Sequence, residues 1–196
     1  MMQLYRELLE KHGRQEWWPC RTKNRFEICA GAVLTQGTSW KNVEKAISNM
    51  AGAQAMGAAK IAAMPMPRLE RLVRPSGFFR QKARRLKALA RFVSSYGSFA
   101  AFAKNATRDA LLEINGIGKE TADAILLYAC GRPYFVVDAY TRRLLSARRM
   151  ISGNEEYDEI RELFEKSLPR SVPVYGEFHA LIVEEGKLRR SNPVTS

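Results

Sequence analysis

The chain has 196 residues, 46% of them hydrophobic, which is enough for one large domain or two interleaved small ones and excludes global disorder. Thirty-two lysines and arginines against 20 acids give a net charge of +12, which predicts attraction to a polyanion, nucleic acid or an acidic membrane face. No apolar run approaches the roughly 20 residues of a membrane span, and the opening MMQLYRELLEKHGR is a mixed-charge helix without a signal-peptide core, so the protein is expected to be cytoplasmic, with no membrane partner.

Apolar residues recur at helical spacing along the chain and alternating strand patterns are nearly absent, which predicts an all-α fold. Helices are expected at about 2–12, 25–37, 39–51, 56–63, 68–73, 79–96, 107–113, 118–130, 138–149, 154–168 and 173–187. Between them, MAGAQAMGAAKIAAMPMP, residues 50 to 67, reads as short helices turning tightly. Cys20, Cys29 and Cys130 are odd in number and scattered; buried thiols fit them better than a disulfide framework or a zinc site.

The helix RQKARRLKALAR, residues 80 to 91, has six cations and no acid. Such a run reads either as a solvated face or as a set of phosphate contacts, with Arg80 and Lys82 the candidates. Further on, Leu111 to Gly118 reads as a short helix ending in a two-glycine turn that opens directly into the next helix. Glycines there permit positive φ and close approach, so N–H groups from Gly118 onward can point at a phosphate with the positive end of the helix dipole behind them. An ordinary helix–turn–helix connection uses glycine in the same way.

Asp138 ends the apolar run Tyr134 to Val137 and stands where a helix begins, the position of an N-cap. Residue type alone assigns it to capping. Apolar positions 111 and 114, Gly116-Ile117-Gly118, and Ala122, Ile125 and Leu126 together resemble the helix-hairpin-helix DNA-binding motif. With Val137-Asp138 following twenty residues after Gly118, the chain resembles the helix-hairpin-helix DNA glycosylase superfamily, the endonuclease III-like base-excision repair enzymes. WWP, TQGTSW, RPSGFF, GIGKETADAILLYAC and VVDAY bring it nearest to the 3-methyladenine DNA glycosylases of the endonuclease III branch.

The resemblance, which covers residues 20 to 190, implies two lobes. One is a six-helix barrel at 22–132 carrying the hairpin motif at about 107–130; the other is a helical lobe from 1–21 plus 133–196. It implies that Asp138 is catalytic, that Gln36 fills the gap left by an extruded base, and that Gly116, Ile117, Gly118, Lys119 and Thr121, with Arg80 and Lys82, contact double-stranded DNA. It also implies a base pocket of Trp40, Trp17, Trp18 and Pro19, with Glu120 and Lys187 near it, and a possible monovalent cation on the carbonyls of Leu112, Ile114 and Ile117. The molecule is expected to act as a monomer, associated with the nucleoid.

Two departures from the family pattern matter. Enzymes of the family that also cut the strand carry a lysine two residues after the second hairpin glycine, and Glu120 stands there. Lys119 is adjacent, but one residue rotates a helical side chain by about 100°. The segment from Glu184 onward has none of the four cysteines that hold an iron–sulfur cluster in many relatives, so no cluster and no cofactor are expected, and Phe178, Leu181, Ile182 and Val183 must hold the second lobe by packing. His179, among them, is expected to be structural. Without an amine nucleophile, the chemistry suits a base that leaves easily. Alkylation at N3 or N7 makes a purine cationic, and an ionised Asp138 could then stabilise the oxocarbenium-like sugar and take a proton from water. The expected function is a monofunctional glycosylase releasing 3-methyladenine after base flipping. The alternatives are an endonuclease III-like glycosylase/lyase on pyrimidines and a noncatalytic DNA-binding module.

Overall fold

The structure is a computed structural model and describes residues 1–15, 17, 18, 21, 22 and 24–191. All of its regular elements among the described residues are helical, and the chain clusters into two compact units, Cys20–Cys130 and Met1–Pro19 with Gly131–Ser196. The charge is unevenly shared. Residues 20–130 hold 18 lysines and arginines against 7 acids, net +11; the rest of the chain holds 14 against 13, net +1.

The 20–130 unit is built on two helices. α2 (Phe26–Leu34) has all nine residues buried, because apolar and small side chains face every direction. Its one acid, Glu27, accepts from Arg21 N at 2.8 Å, Thr22 N at 2.6 Å and Thr22 Oγ1 at 2.6 Å, so a buried carboxylate anchors the incoming chain. α3 (Trp40–Gly52), α4 (Ala58–Ala63) and α5 (Met66–Val73) lead to α6 (Phe79–Ser95), whose stripe Lys82, Ala83, Leu86, Leu89, Ala90 and Val93 is buried at helical spacing. A helix missed in the sequence follows, α7 (Phe99–Asn105); Ser98 caps it by accepting from Ala101 N at 3.1 Å. Then come α8 (Arg108–Leu112) and α9 (Lys119–Ala124). The helix expected over 118–130 continues α9 as a π-turn, Ile125–Ala129, closed by Cys130 N donating to Ile125 O at 3.0 Å. The Arg108 fork holds the fully buried Asp123 at 2.7 and 3.0 Å, locking α8 to α9.

The other unit packs α1 (Met2–His12) on α12 (Val172–Ser191), with α10 (Ala139–Ala147) and α11 (Tyr157–Ser167) beside it. Its core is aromatic: Phe135 stacks on Phe164 at 3.8 Å, and Tyr175 and Phe178 meet Phe135 edge-on. Burying each such ring stabilises the fold by about 1.5–3 kcal/mol. Leu181, Ile182 and Val183 are buried in the same face. Across α1 and α12 the buried Glu185 takes Lys11 Nζ at 2.7 Å and His12 Nε2 at 2.8 Å. Cys29 is buried as expected of a thiol, Cys130 is half-buried, and Cys20 lies outside the described residues. Among the described residues no helix is long and apolar enough to cross a membrane.

Candidate active site and DNA-binding surface

The segment before α10 is extended, and side chains hold its backbone: Phe135 N donates to the Glu165 carboxylate at 2.9 Å and Val137 N to the Tyr157 hydroxyl at 3.3 Å. Buried Phe135, Val136 and Val137 then deliver Asp138 to the start of α10. Its carboxylate divides its oxygens. Oδ1 accepts from Thr141 N at 2.7 Å and Thr141 Oγ1 at 2.9 Å in a capping box; Oδ2 faces His179 Nε2 on α12 at 3.7 Å. Burial acts to raise this carboxyl, but the His179 imidazole and the Thr141 N–H and hydroxyl outweigh it and hold Asp138 below the ordinary carboxylate range.

Around this pair the aromatic residues gather. The Trp17 ring lies 5.7 Å from His179 and 5.7 Å from Trp18, and Lys187 Nζ lies 5.9 Å from the Trp17 ring while pairing with Glu184. Gly186 matters here because a Cβ on it would come within 2.2 Å of Tyr140 Cδ1, so only glycine lets α10 and α12 approach this closely. Arg143 covers Tyr140 at 4.6 Å. The residues brought together are therefore Asp138, His179, Trp17, Trp18 and Lys187. Expected pocket residue Pro19 lies outside the described residues. Trp40 opens α3 and is half-buried, and Glu120 is exposed in the first turn of α9; both belong to the 20–130 unit.

In that unit the hairpin is fastened from inside. Gln36 Nε2 donates to Gly116 O at 3.1 Å and to Thr121 Oγ1 at 3.0 Å, and Arg85 donates to Gln36 Oε1 at 2.6 Å. Gly116 has φ +85, and a Cβ there would overlap the Arg85 side chain at 2.2 to 2.6 Å. Gly118 is different: its backbone is extended, and a Cβ would meet nothing within 4 Å. Lys119 is exposed, as are Arg80 and Arg84 on the outer face of α6.

Three expected DNA contacts need correction. Lys82 is 1% exposed and donates to Leu34 O at 2.8 Å and to Ser76 O, so its ammonium cannot reach a phosphate. Thr121 turns its hydroxyl inward to Gln36 and is buried. Ile117 spends its N–H on Ile114 O at 2.9 Å and buries its side chain.

Phe78, within the RPSGFF motif, is a further functional candidate. It is 72% exposed and takes φ 43, ψ 34, a left-handed conformation that costs a bulky residue energy, at the tip of the turn before α6. Its neighbour Phe79 is flanked by the Arg74 and Arg80 guanidinium groups at 5.8 Å each. Gly77-Phe78-Phe79 carried the signal: a glycine turn followed by two adjacent aromatics, whose side chains diverge by about 100° on a helix.

The helical hairpin, the capped aspartate and the basic unit around the hairpin define a DNA-repair fold. Residues 30–170 match the HhH-GPD superfamily of base excision DNA repair proteins, and the chain belongs to that superfamily. It is a DNA glycosylase of base excision repair. The chain is 48% identical to "Putative DNA repair glycosylase MJ1434" of Methanocaldococcus jannaschii, over 94% of this chain and 86% of that one. It is 26% identical to endonuclease III of Thermotoga maritima, over 94% and 82%. The solved structure of the H. pylori 3-methyladenine DNA glycosylase MagIII, bound to 1,N6-ethenoadenine, superposes with a TM-score of 0.83 at 35% identity, covering 96% of this chain and 95% of that one.

Proposed function

We propose that this glycosylase releases alkylated purines, 3-methyladenine foremost, by hydrolysis alone after flipping the base from the duplex. The observation that carries the reading is the Asp138 carboxylate, fixed by its cap on one oxygen and presenting the other beside Trp17 and His179. When the C1′–N bond breaks, the electron pair leaves with the cationic methylpurine, which departs neutral without needing a proton. Asp138 stabilises the cationic sugar; as water adds to C1′, its proton passes to the carboxylate. The tryptophan pair offers π faces to an electron-poor base, and a cation over such a ring gains about 0.5–2 kcal/mol. The 35% identical MagIII structure supports the choice of base.

Glu120, where a lyase would carry lysine, supports chemistry without a covalent imine. No cofactor enters the proposed reaction. Aromatic packing and the Glu185 pairings hold the second unit where many relatives use a cluster. The likeness to endonuclease III favours one other reading, a glycosylase that also cuts the strand. Incubation with methylated duplex DNA, followed by chromatography of the released bases and a strand-cleavage gel, tests both: free 3-methyladenine with intact strands supports the proposal, and cut strands support the other.

A further inference from the structure

His179 was expected to be core filling, and its surroundings assign it more. It sits in the middle of α12, 6% exposed, with Nε2 3.7 Å from Asp138 Oδ2 and its ring against Trp17. That separation is too long for a hydrogen bond, which closes at about 2.7–3.2 Å for N–H···O, and short enough for a strong charge interaction in a buried site. The two bonds from Thr141 fix the rotation of the carboxylate, so Oδ2 is aimed at the imidazole by the cap. An oxygen held beside the imidazole without being consumed by a short bond remains open to a sugar or a water, and the histidine favours the ionised carboxylate.

We propose that His179 is a positioning residue of the glycosylase reaction: its ring stands 3.7 Å from Oδ2 and backs the Asp138 carboxylate, so that the oxygen left free by the cap is presented to the reacting sugar. This rests on the catalytic reading of Asp138. Among the described residues, other charged groups on these elements have partners of their own: Arg142 donates to Glu155 O and Glu177 accepts from Gln15 N. Glu185 is paired with Lys11 and His12, Glu184 with Lys187, and the Arg143 guanidinium covers Tyr140. From α10 only the Thr141 N–H and hydroxyl face the carboxylate; from α12 it is His179. Burial alone would favour the neutral acid, and the histidine opposes it.

The test is single-turnover base release from methylated duplex DNA between pH 4 and 8, for the wild type, His179→Gln and Asp138→Asn. Loss of the imidazole should move the acid limb of the His179→Gln profile to higher pH, a roughly tenfold slower rate at a fixed pH on that limb. DNA affinity should be unchanged. A profile that superimposes on the wild type, or is scaled down uniformly, overturns the role of His179, provided Asp138→Asn is inactive. An active Asp138→Asn instead overturns the catalytic reading beneath it.

If His179→Gln folds poorly, the wild type still decides. The chain has only two histidines, His12 and His179, so ring 15N signals can be assigned directly. Asp138→Asn, which keeps the Oδ1 cap, should move the His179 ring signals and leave those of His12 in place. Identical His179 signals in the two proteins contradict the contact.

Discussion

The Lys82 ammonium ends 2.8 Å from the Leu34 carbonyl, at the last turn of α2, and also donates to Ser76 O just before the Gly77-Phe78 turn. One buried cation thus ties the segment leading to Gln36 to the segment leading to Phe78. Lys82→Met should leave two buried carbonyls short of a donor, at about 1–3 kcal/mol each, and lower the melting temperature, while leaving the salt dependence of DNA binding unchanged. Arg80→Ala should do the reverse, with an unchanged melting temperature and a log–log salt slope shallower by about 1. Melting curves and salt titrations of both variants separate a structural cation from a phosphate contact.

Lys82 also gives the stability a pH signature. Burial, then the nearby Arg85, lowers its pKa from 10.5 to about 8. Below pH 8 the full cost of keeping the ammonium inside is present. Between about 8 and 10.5 the unfolded chain binds more protons at this group than the folded one, so its contribution to stability rises with pH across that window. Denaturant melts of the wild type and Lys82→Met at pH 7.5 and 10 should show that rise in the wild type relative to the variant. Parallel behaviour would contradict it.

How much of this the sequence could carry depends on the kind of signal. The all-α class was legible because a 3.6-residue apolar period runs through nearly every segment, as in Leu86, Leu89, Ala90 and Val93. α7 was missed because Phe99–Asn105 is two turns of mostly alanine and aromatic residues, too short to show a period. Lys82 was misread by its charge, although its place four residues before Leu86 puts it on the buried stripe; a side chain that ends on two carbonyls leaves no mark in composition. Asp138 was framed as either cap or catalyst, whereas a carboxylate has two oxygens and the structure gives them different neighbours. The His179 pairing joins positions 41 residues apart on two helices, which no local pattern encodes.

Phe78 is expected to enter the DNA duplex. A large apolar side chain with 72% exposure at a left-handed φ adds little burial to the free protein, which points to a role in the complex. Phe78→Ala should lower kcat/KM for base release by roughly 5- to 150-fold, the equivalent of one lost aromatic stack of about 1–3 kcal/mol. Its melting temperature should not fall. Unimpaired release, or early melting, would count against the insertion.

The two hairpin glycines should respond differently to alanine. At Gly116 a methyl group collides with Arg85, so Gly116→Ala should displace the Arg85–Gln36 network and weaken binding to all duplexes alike. Gly118→Ala has open space around its Cβ and should fold normally, losing affinity only where DNA itself needs that space. Fluorescence anisotropy with damaged and undamaged duplexes checks both; full affinity in Gly116→Ala would remove the network from DNA binding.

No imine should form during turnover. Borohydride added to the reaction on methylated or abasic DNA should trap no covalent complex, because Glu120 replaces the lysine and Lys119 is exposed to solvent. A trapped band that disappears in Lys119→Ala would establish a lyase.

The most direct measurement is single-turnover release of 3-methyladenine from methylated duplex DNA by the wild type and Asp138→Asn, with binding measured on the same samples. Asparagine can keep the helix cap through its carbonyl oxygen while removing the charge and the base. Free 3-methyladenine is expected from the wild type and a rate at least about 100-fold lower from the variant, with DNA affinity equal or higher. Release by Asp138→Asn at the wild-type rate, or no methylpurine from the wild type, would contradict the proposed function.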